Sequence, residues 1–202
     1  MDTFRYIVAL LLVLVVPAAF VYWVLLHGLL PAWRRLGAPA STALLLLSFI
    51  AVAVLVSLWR GALLRSDYGF NPLCTSVGVI CLAGAAVFRL QIERFFPWRA
   101  QMGLPEIDPG RHPQRLVTDG PYAHTRNPRY VQILLALIGW AFLANYAAGY
   151  LFALLWGPLA ALIVVLEERE LGRRFGCEYE DYCERVARFW PHAAATNHRV
   201  KA

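Results

Sequence analysis

Long uncharged stretches alternate with short charged ones along this chain. No Asp, Glu, Lys or Arg occurs in four segments: residues 6–33, 36–59, 68–88 and 130–166. A helix that crosses a bilayer needs about 20 apolar residues, because the hydrocarbon core is ~30 Å thick and the helix rises ~1.5 Å per residue. Each of the first three segments therefore predicts one spanning helix. We interpret the first as a retained anchor, because its apolar sequence continues past the core of a signal peptide.

The fourth uncharged segment, from Tyr130 to Leu166, is too long for one span and long enough for two short ones. Its centre reads Asn145-Tyr146-Ala147-Ala148-Gly149, which is typical of a tight turn. We therefore expect a helical hairpin, about five spans in total and an all-α, polytopic membrane protein. Residues 1–92 should form three N-terminal transmembrane helices. Residues 93–202 should form one integrated unit of loop, hairpin and C-terminal amphipathic helix.

Composition supports a membrane location. Of the 202 residues, 59% are apolar and 16% are charged, against roughly 45–50% and about 25% in soluble domains. A soluble monomer of this size has too small an interior for so many apolar side chains, so we exclude that class. The net charge of +6 would fit nucleic acid on a soluble fold. Here the bases lie between apolar runs, so we expect membrane lipids, and no nucleic acid, as partners.

The distribution of basic residues predicts how the chain crosses the bilayer. Arg5, Arg60 and Arg65 fall on the side of the turn at Asn145, and the other sixteen of the 19 Lys and Arg residues fall on the opposite side. Basic loops are retained preferentially in the cytoplasm. We therefore expect the N-terminus outside and the C-terminus in the cytoplasm.

The four cysteines form no recognisable metal or disulfide pattern. Cys74 and Cys81 lie in the third span, Cys177 and Cys183 lie in the tail, and none belongs to a CxxC pair. We therefore expect no metal site and no structural disulfide.

Polar residues concentrate in two stretches that flank the hairpin, from Gln114 to Tyr130 and from Glu167 to Tyr182. Because a hairpin returns the chain to the side it left, both stretches should meet at one membrane face. The second begins with Glu167 and Glu168, which we place at the end of a spanning helix. Carboxylates there oppose the helix dipole. They indicate either a bound cationic or hydroxyl-bearing ligand or a solvated helix end.

The tail predicts an amphipathic helix. Tyr179, Tyr182, Val186 and Phe189 recur at spacings of three and four residues, which places them on one helical face. Pro191 should end this helix. We expect its apolar face to lie against the membrane domain or the headgroup layer.

The order of motifs in these stretches resembles that of an enzyme family. Leu116-Val-Thr-x-Gly-x-Tyr122 precedes Arg126-Asn-Pro-x-Tyr130, and after the hairpin comes Glu167-Glu-x-x-Leu171-x-x-x-Phe175-Gly176-x-Glu178-Tyr179-x-x-Tyr182. The combination is similar to the isoprenylcysteine carboxyl methyltransferases and their phospholipid methyltransferase relatives, over about residues 114–191. The resemblance implies an integral membrane methyltransferase that uses S-adenosyl-L-methionine and has its cofactor site in the cytoplasm.

The resemblance also implies which residues hold the cofactor. The positions that match those of the family are Gln114, Arg115, Leu116, Val117, Tyr122, Asn127, Pro128, Arg129, Tyr130 and Glu167. Asn127 stands where the isoprenylcysteine enzymes commonly have His, and its amide can still donate and accept hydrogen bonds. Of the acidic pair, we expect Glu168 to tolerate substitution better than Glu167.

The methyl acceptor is expected to be a lipophilic or amphiphilic small molecule or lipid. The prenylcysteine enzyme has a substrate-binding Arg four residues before the first Glu, and this chain has Ile163 there. A buried prenylcysteine carboxylate would then lack that counter-charge. Ile133, Leu134 and Ile163 are the residues we expect to line the acceptor groove.

No residue is an obvious catalytic base. Methyl transfer from a sulfonium disperses charge, so alignment and exclusion of water are the main requirements. His124, Glu168 and Tyr122 are the nearest candidates for a catalytic role, and each also has a structural interpretation.

Three alternatives stay open. The chain could be an isoprenylcysteine carboxyl methyltransferase proper, a steroid-reductase-like enzyme that uses NADPH, or a non-catalytic scaffold whose tail helix binds a partner. The Glu-Glu and Phe-Gly-x-Glu-Tyr spacing favours the methyl donor over NADPH.

Overall fold

The computed structural model describes residues 2–95, 107–108 and 115–189. Within these ranges the main elements are α1 (Asp2–Gly28), α2 (Leu30–Leu36), α3 (Ala38–Ser57), α4 (Arg60–Leu63), α5 (Pro72–Glu93), a 3₁₀ turn (Gly120–Ala123), α6 (Pro128–Ala144), α7 (Ala147–Phe175) and α8 (Cys177–Arg185). The predicted all-α, polytopic fold is confirmed. Gln114 and Pro191, which carry two of the predictions above, lie outside the described residues.

Four of these helices, α1, α3, α5 and α7, are long and apolar enough to cross a membrane. The remaining predicted span is α6, whose 17 residues extend for about 25 Å at ~1.5 Å per residue, at the short end of spanning helices. The predicted turn joins α6 to α7, and Asn145 adopts the left-handed conformation there, with φ 58° and ψ 46°. Asn tolerates this conformation better than most residues.

The core forms where α1 lies against α3, α6 and α7. The buried face of α1 repeats at helical spacing through Val8, Leu12, Val13 and Val16, so the apolar side chains on that face meet the other helices. Large apolar side chains on the outer faces of α3 and α5 are exposed, as on lipid-facing helices. The first and last parts of the chain therefore share one core.

One end of the bundle, here named the turn end, is held by a buried arginine. Arg5 is only 3% exposed, and its Nε donates to the Ala144 carbonyl (3.0 Å) while its guanidinium pairs with Asp67. The side chain of Asn145 donates to the Gly69 carbonyl (2.8 Å). The start of α1 and the hairpin turn thus lie together. The start of α6, the end of α7 and α8 form the opposite end, here named the site end.

Helix α7 continues to Phe175, well past the expected end at Leu166. Glu167 and Glu168 therefore lie two turns before the end of the helix, and Arg173 and Arg174 occupy its last turn. The helix dipole acts mainly within the last turn, where it favours bases. The prediction that Glu167 and Glu168 oppose the dipole at the end of the helix is therefore wrong.

The tail helix is shorter than expected. Helix α8 ends at Arg185, and Val186 is extended, with φ −123° and ψ 130°, so the apolar face does not continue as a helix to Phe189. Its first two members, Tyr179 and Tyr182, are buried. The tail therefore packs onto the rest of the protein through α8 and then through an extended segment.

Helices α5 and α6 approach closely at two glycines. A Cβ on Gly78 would lie 2.8 Å from the Gly139 carbonyl oxygen and 3.0 Å from the Leu143 amide nitrogen. Small residues of this kind let helix backbones come close within a membrane. The crossing holds α6 against α5.

Replacement of Gly78 by Ala should destabilise the protein by about 1–3 kcal/mol, because the clash is with backbone atoms that no rotamer change can move. The measurement is the thermal unfolding midpoint in detergent. Gly84→Ala on the same helix is the control, since its Cβ would contact only the Leu135 side chain at 3.4 Å. Equal midpoints for the two variants would contradict the close crossing.

Candidate functional site

A small pocket with a cavity volume of about 70 Å³ lies at the site end. Its walls come from three parts of the chain: the stretch from Arg115 to Tyr130, the end of α7, and α8. The two polar stretches that flank the hairpin therefore meet, as the hairpin predicts.

The pocket brings together nine of the ten positions predicted to hold a cofactor. These are Arg115, Leu116, Val117, Tyr122, Asn127, Pro128, Arg129, Tyr130 and Glu167. The tenth, Gln114, lies outside the described residues.

Five further residues of the pocket wall escaped the sequence-based prediction: Arg126, Leu171, Phe175, Tyr179 and Tyr182. Leu171 and Phe175 follow Glu167 at intervals of four, so the continuation of α7 places them on its pocket face. That periodicity is the signal by which they could have been found. They were missed because the helix was expected to end before them.

A hydrogen-bonded chain fixes the acidic residue of the pocket. The Tyr130 hydroxyl donates to Glu167 Oε2 (2.7 Å) and accepts from Arg129 Nη2 (3.1 Å). The guanidinium carbon of Arg129 lies 4.4 Å from the centre of the Trp23 ring, a cation–π contact. A carboxylate has about four acceptor sites, so Glu167 is held in place with acceptor capacity to spare.

Glu168 has a different role from its neighbour. Its Oε1 pairs with Arg126 Nη2 (3.3 Å) and accepts from Asn127 Nδ2 (3.2 Å), and its Oε2 pairs with Arg188 Nη2 (2.7 Å). These contacts join α7 both to the stretch before α6 and to the segment after α8. These contacts predict that replacing Glu168 lowers stability, and the expectation that Glu168 tolerates substitution better than Glu167 stays a prediction.

The segment after α8 lies across the stretch before α6. Hydrogen bonds join the tail to that stretch, among them those from the Arg126 amide to the Ala187 carbonyl (2.9 Å), from Thr125 Oγ1 to the Arg188 carbonyl (3.1 Å) and from the Tyr182 hydroxyl to the Tyr122 carbonyl (2.7 Å). Tyr179 and Tyr182 of α8 thus form one wall of the pocket.

The three candidates for a catalytic role are placed differently. Tyr122 lines the pocket, and burial raises the pKa of its phenol to about 12, so at neutral pH it is a hydrogen-bond donor and not a base. His124 is exposed and lines a separate depression beside Phe95. Glu168 is engaged by two arginines. This arrangement favours catalysis by positioning over catalysis by a dedicated base.

The three residues expected at the acceptor groove lie in the core. Ile163 is 0% exposed, and Ile133 and Leu134 pack against the same buried cluster. None of them lines the pocket just described. An Arg at position 163 would be buried among apolar side chains, so it would not simply add a substrate contact.

Possible metal ligands are dispersed in the described part of the chain. No group of three or more His, Cys, Asp or Glu residues there is placed to hold a metal ion. Cys74, Cys81, Cys177 and Cys183 are all free thiols.

Comparison with known proteins gives a family match and two curated relatives. Residues 74–178, slightly more than half of the chain, match the phospholipid methyltransferase family. The matched region includes nearly all of α5, the hairpin and most of the pocket wall. No solved structure matches the chain.

Both relatives are named for heavy-metal resistance. The chain is 26% identical to the nickel-cobalt-cadmium resistance protein NccN of Alcaligenes xylosoxydans xylosoxydans, over 70% of this chain and 61% of that protein. It is 28% identical to the cobalt-zinc-cadmium resistance protein CzcN of Cupriavidus metallidurans, over 70% of this chain and 60% of that protein. The match thus spans about three fifths of each relative.

Replacement of Glu168 by Gln should lower stability by about 1–3 kcal/mol, because it removes the charge that pairs with Arg126 and Arg188. The unfolding midpoint in detergent measures this effect. Glu180→Gln, on the exposed side of α8, changes the net charge equally and should leave the midpoint unchanged. A Glu168 variant as stable as the parent would show that these ion pairs do not hold the tail.

Proposed function

Because the chain belongs to the phospholipid methyltransferase family, we propose that it takes a methyl group from S-adenosyl-L-methionine and transfers it to a lipophilic or amphiphilic acceptor. The family establishes the kind of reaction, methyl transfer. The long apolar helices make the protein an integral membrane protein. The observation that carries the cofactor proposal is the set of side chains around Glu167.

The pocket wall fits the chemical groups of S-adenosyl-L-methionine. Glu167 is a fixed acceptor suited to ribose hydroxyls or to an ammonium group. Arg115 and Arg126 can bind the carboxylate of the amino-acid part. Arg126 Nε is buried without a hydrogen-bond partner in the described part of the chain. Phe175 and Tyr179 offer aromatic surface to an adenine ring.

The bound cofactor supplies an activated methyl group on a sulfonium, and the residues of this chain align it and keep water away. Tyr130 and Arg129 hold the Glu167 carboxylate in one position, which preserves alignment. Tyr182 of α8 lines the pocket, and its hydroxyl donates to the Tyr122 carbonyl. The neutral Tyr122 phenol can donate a hydrogen bond. The acceptor atom therefore has to be nucleophilic without deprotonation by a residue of the pocket.

The position of the pocket supports an acceptor that is dissolved in the bilayer. Helix α7 has 29 residues, or about 43 Å at ~1.5 Å per residue, whereas about 20 residues cross the hydrocarbon core. The part of α7 from Glu167 onward therefore emerges at the membrane surface. A lipophilic acceptor with a thiol, phenol or amine head reaches this level by lateral diffusion.

A prenylcysteine carboxylate is not our preferred acceptor. The position at which the prenylcysteine enzymes have their substrate-binding Arg holds Ile163, which is fully buried in the core. Position 163 therefore supplies no counter-charge for a prenylcysteine carboxylate, whose burial without a cationic partner costs several kcal/mol.

We place the site end in the cytoplasm, where a soluble cofactor is accessible. The support is the excess of Arg and Lys on that side of the predicted spans. A C-terminal fusion to alkaline phosphatase, which is active only outside the cytoplasm, should be inactive. An active fusion would reverse the orientation.

Purified protein in detergent should bind S-adenosylhomocysteine, and Glu167→Gln should weaken this binding roughly ten- to a hundredfold, as expected for loss of a charge-assisted hydrogen bond of about 1.5–3 kcal/mol. The amide of Gln can still accept from Tyr130, so the fold should persist, which the unfolding midpoint checks. The control is Glu184→Gln on the exposed face of α8. Unchanged affinity in the Glu167 variant would remove that residue from the site. Folded parent protein that binds no S-adenosylhomocysteine would contradict the proposed cofactor.

The same preparation distinguishes the acceptor classes. Methyl transfer from labelled cofactor is measured with a small hydrophobic thiol, a phosphatidylethanolamine and a prenylcysteine analogue. We expect transfer to the thiol or the amine to exceed transfer to the prenylcysteine carboxylate. Efficient methylation of the prenylcysteine analogue alone would contradict the proposed acceptor class.

A further inference from the structure

A second pocket lies at the site end, on the other side of α7. It has a cavity volume of about 540 Å³ and is formed by the end of α1, by α2 and by the last turns of α7. Leu166 lines this second pocket and Glu167 lines the first, so adjacent residues of one helix face different pockets. Neither the family match nor the proposed methyl transfer accounts for the second one.

Four arginines dominate the wall of this second pocket, here named the arginine pocket. They are Arg34 on α2 and Arg169, Arg173 and Arg174 on α7. The carboxylate among the lining residues is Glu170, which forms an ion pair with Arg34. The wall therefore carries a net positive charge. Arginine matches the geometry of phosphate oxygens by bidentate hydrogen bonding.

A buried histidine points to a ligand in the arginine pocket. His27 lines this pocket and is only 9% exposed. Neither of its ring nitrogens has a hydrogen-bond partner in the described part of the chain. Its ring stacks on Trp23, with ring centres 5.5 Å apart and an interplanar angle of 16°. A buried imidazole without a partner is unfavourable, and a ligand with acceptor oxygens would remove that cost.

The apolar lining and the position of the arginine pocket favour a lipid over a soluble ligand. Leu30 and Leu166 give it an apolar part, and it lies where α7 emerges from the bilayer. Basic pockets between transmembrane helices at a membrane surface are typical sites for anionic lipid headgroups. Free phosphate offers the same oxygens and no apolar body to contact the leucines.

We propose that the arginine pocket binds the phosphate group of an anionic phospholipid, with arginines and the His27 ring as hydrogen-bond donors and the acyl chains directed into the bilayer. This site is distinct from the proposed cofactor pocket, and the proposal does not depend on methyl transfer.

The test measures lipid binding by the full-length protein in detergent, with native mass spectrometry as the readout. Phosphatidylglycerol should bind about tenfold or more tightly than phosphatidylcholine, whose choline cation opposes the arginines. The double variant Arg169→Gln, Arg173→Gln should lose about tenfold or more in affinity for phosphatidylglycerol. Both side chains are exposed, so the fold should be unaffected.

Two further variants make the test specific. The double variant Arg35→Gln, Arg94→Gln removes the same charge from exposed positions outside the arginine pocket and should bind phosphatidylglycerol like the parent. His27→Phe retains the aromatic contact with Trp23 and removes the ring nitrogens, so it should weaken binding several-fold.

Three outcomes would overturn the proposal. The first is equal affinity for phosphatidylglycerol in the parent and the Arg169, Arg173 double variant. The second is an equal loss in the control double variant, which would mean that only the overall charge matters. The third is displacement of the lipid by low millimolar inorganic phosphate, which would identify a site for soluble phosphate. S-adenosylhomocysteine affinity is measured in parallel, so failure here is separable from failure of the proposed function.

Discussion

The hydrogen bond between the Tyr130 hydroxyl and the Glu167 carboxylate ties the first turn of α6 to α7 at the site end. The other features of the first pocket depend on it. Arg129 reaches the same hydroxyl and lies over Trp23 of α1, so three helices converge on one polar chain. Such chains are costly inside a protein unless each member has a partner, and here each supports the next.

The length of α7 explains why the site end carries two pockets. A helix that stopped at the bilayer surface would end near Glu167, and neither Leu171 nor Phe175 would stand beside the first pocket. The continuation also presents Arg169 and Arg173 to the opposite side. Because a helix has distinct faces, one extension supplies an acidic and aromatic wall on one side and a basic wall on the other.

The sequence predicts the part of this structure that follows from the physics of the bilayer. Charge gaps indicate the spans, and a hairpin must return the chain to the face it left. The end of α7 is not predictable in this way, because Glu167 and Glu168 read as a helix end by charge although the helix continues to Phe175. The ion pairs of Glu168 with Arg126 and Arg188 join distant positions, and no local periodicity reveals such pairs. Ile163 was predicted from its matched position in a family motif, but that match gave no sign that the residue is buried in the core.

The tail wall has a consequence for biosynthesis. Tyr179, Tyr182 and Arg188 follow the spanning helices of the described part of the chain, so a ribosome makes them after those helices. Until they emerge, the stretch around Thr125 and Arg126 lacks the carbonyl partners that it finds in the tail. The pocket is therefore completed only after the spanning helices have been synthesised. A nascent chain that is still entering the membrane has no finished site for a ligand to occupy.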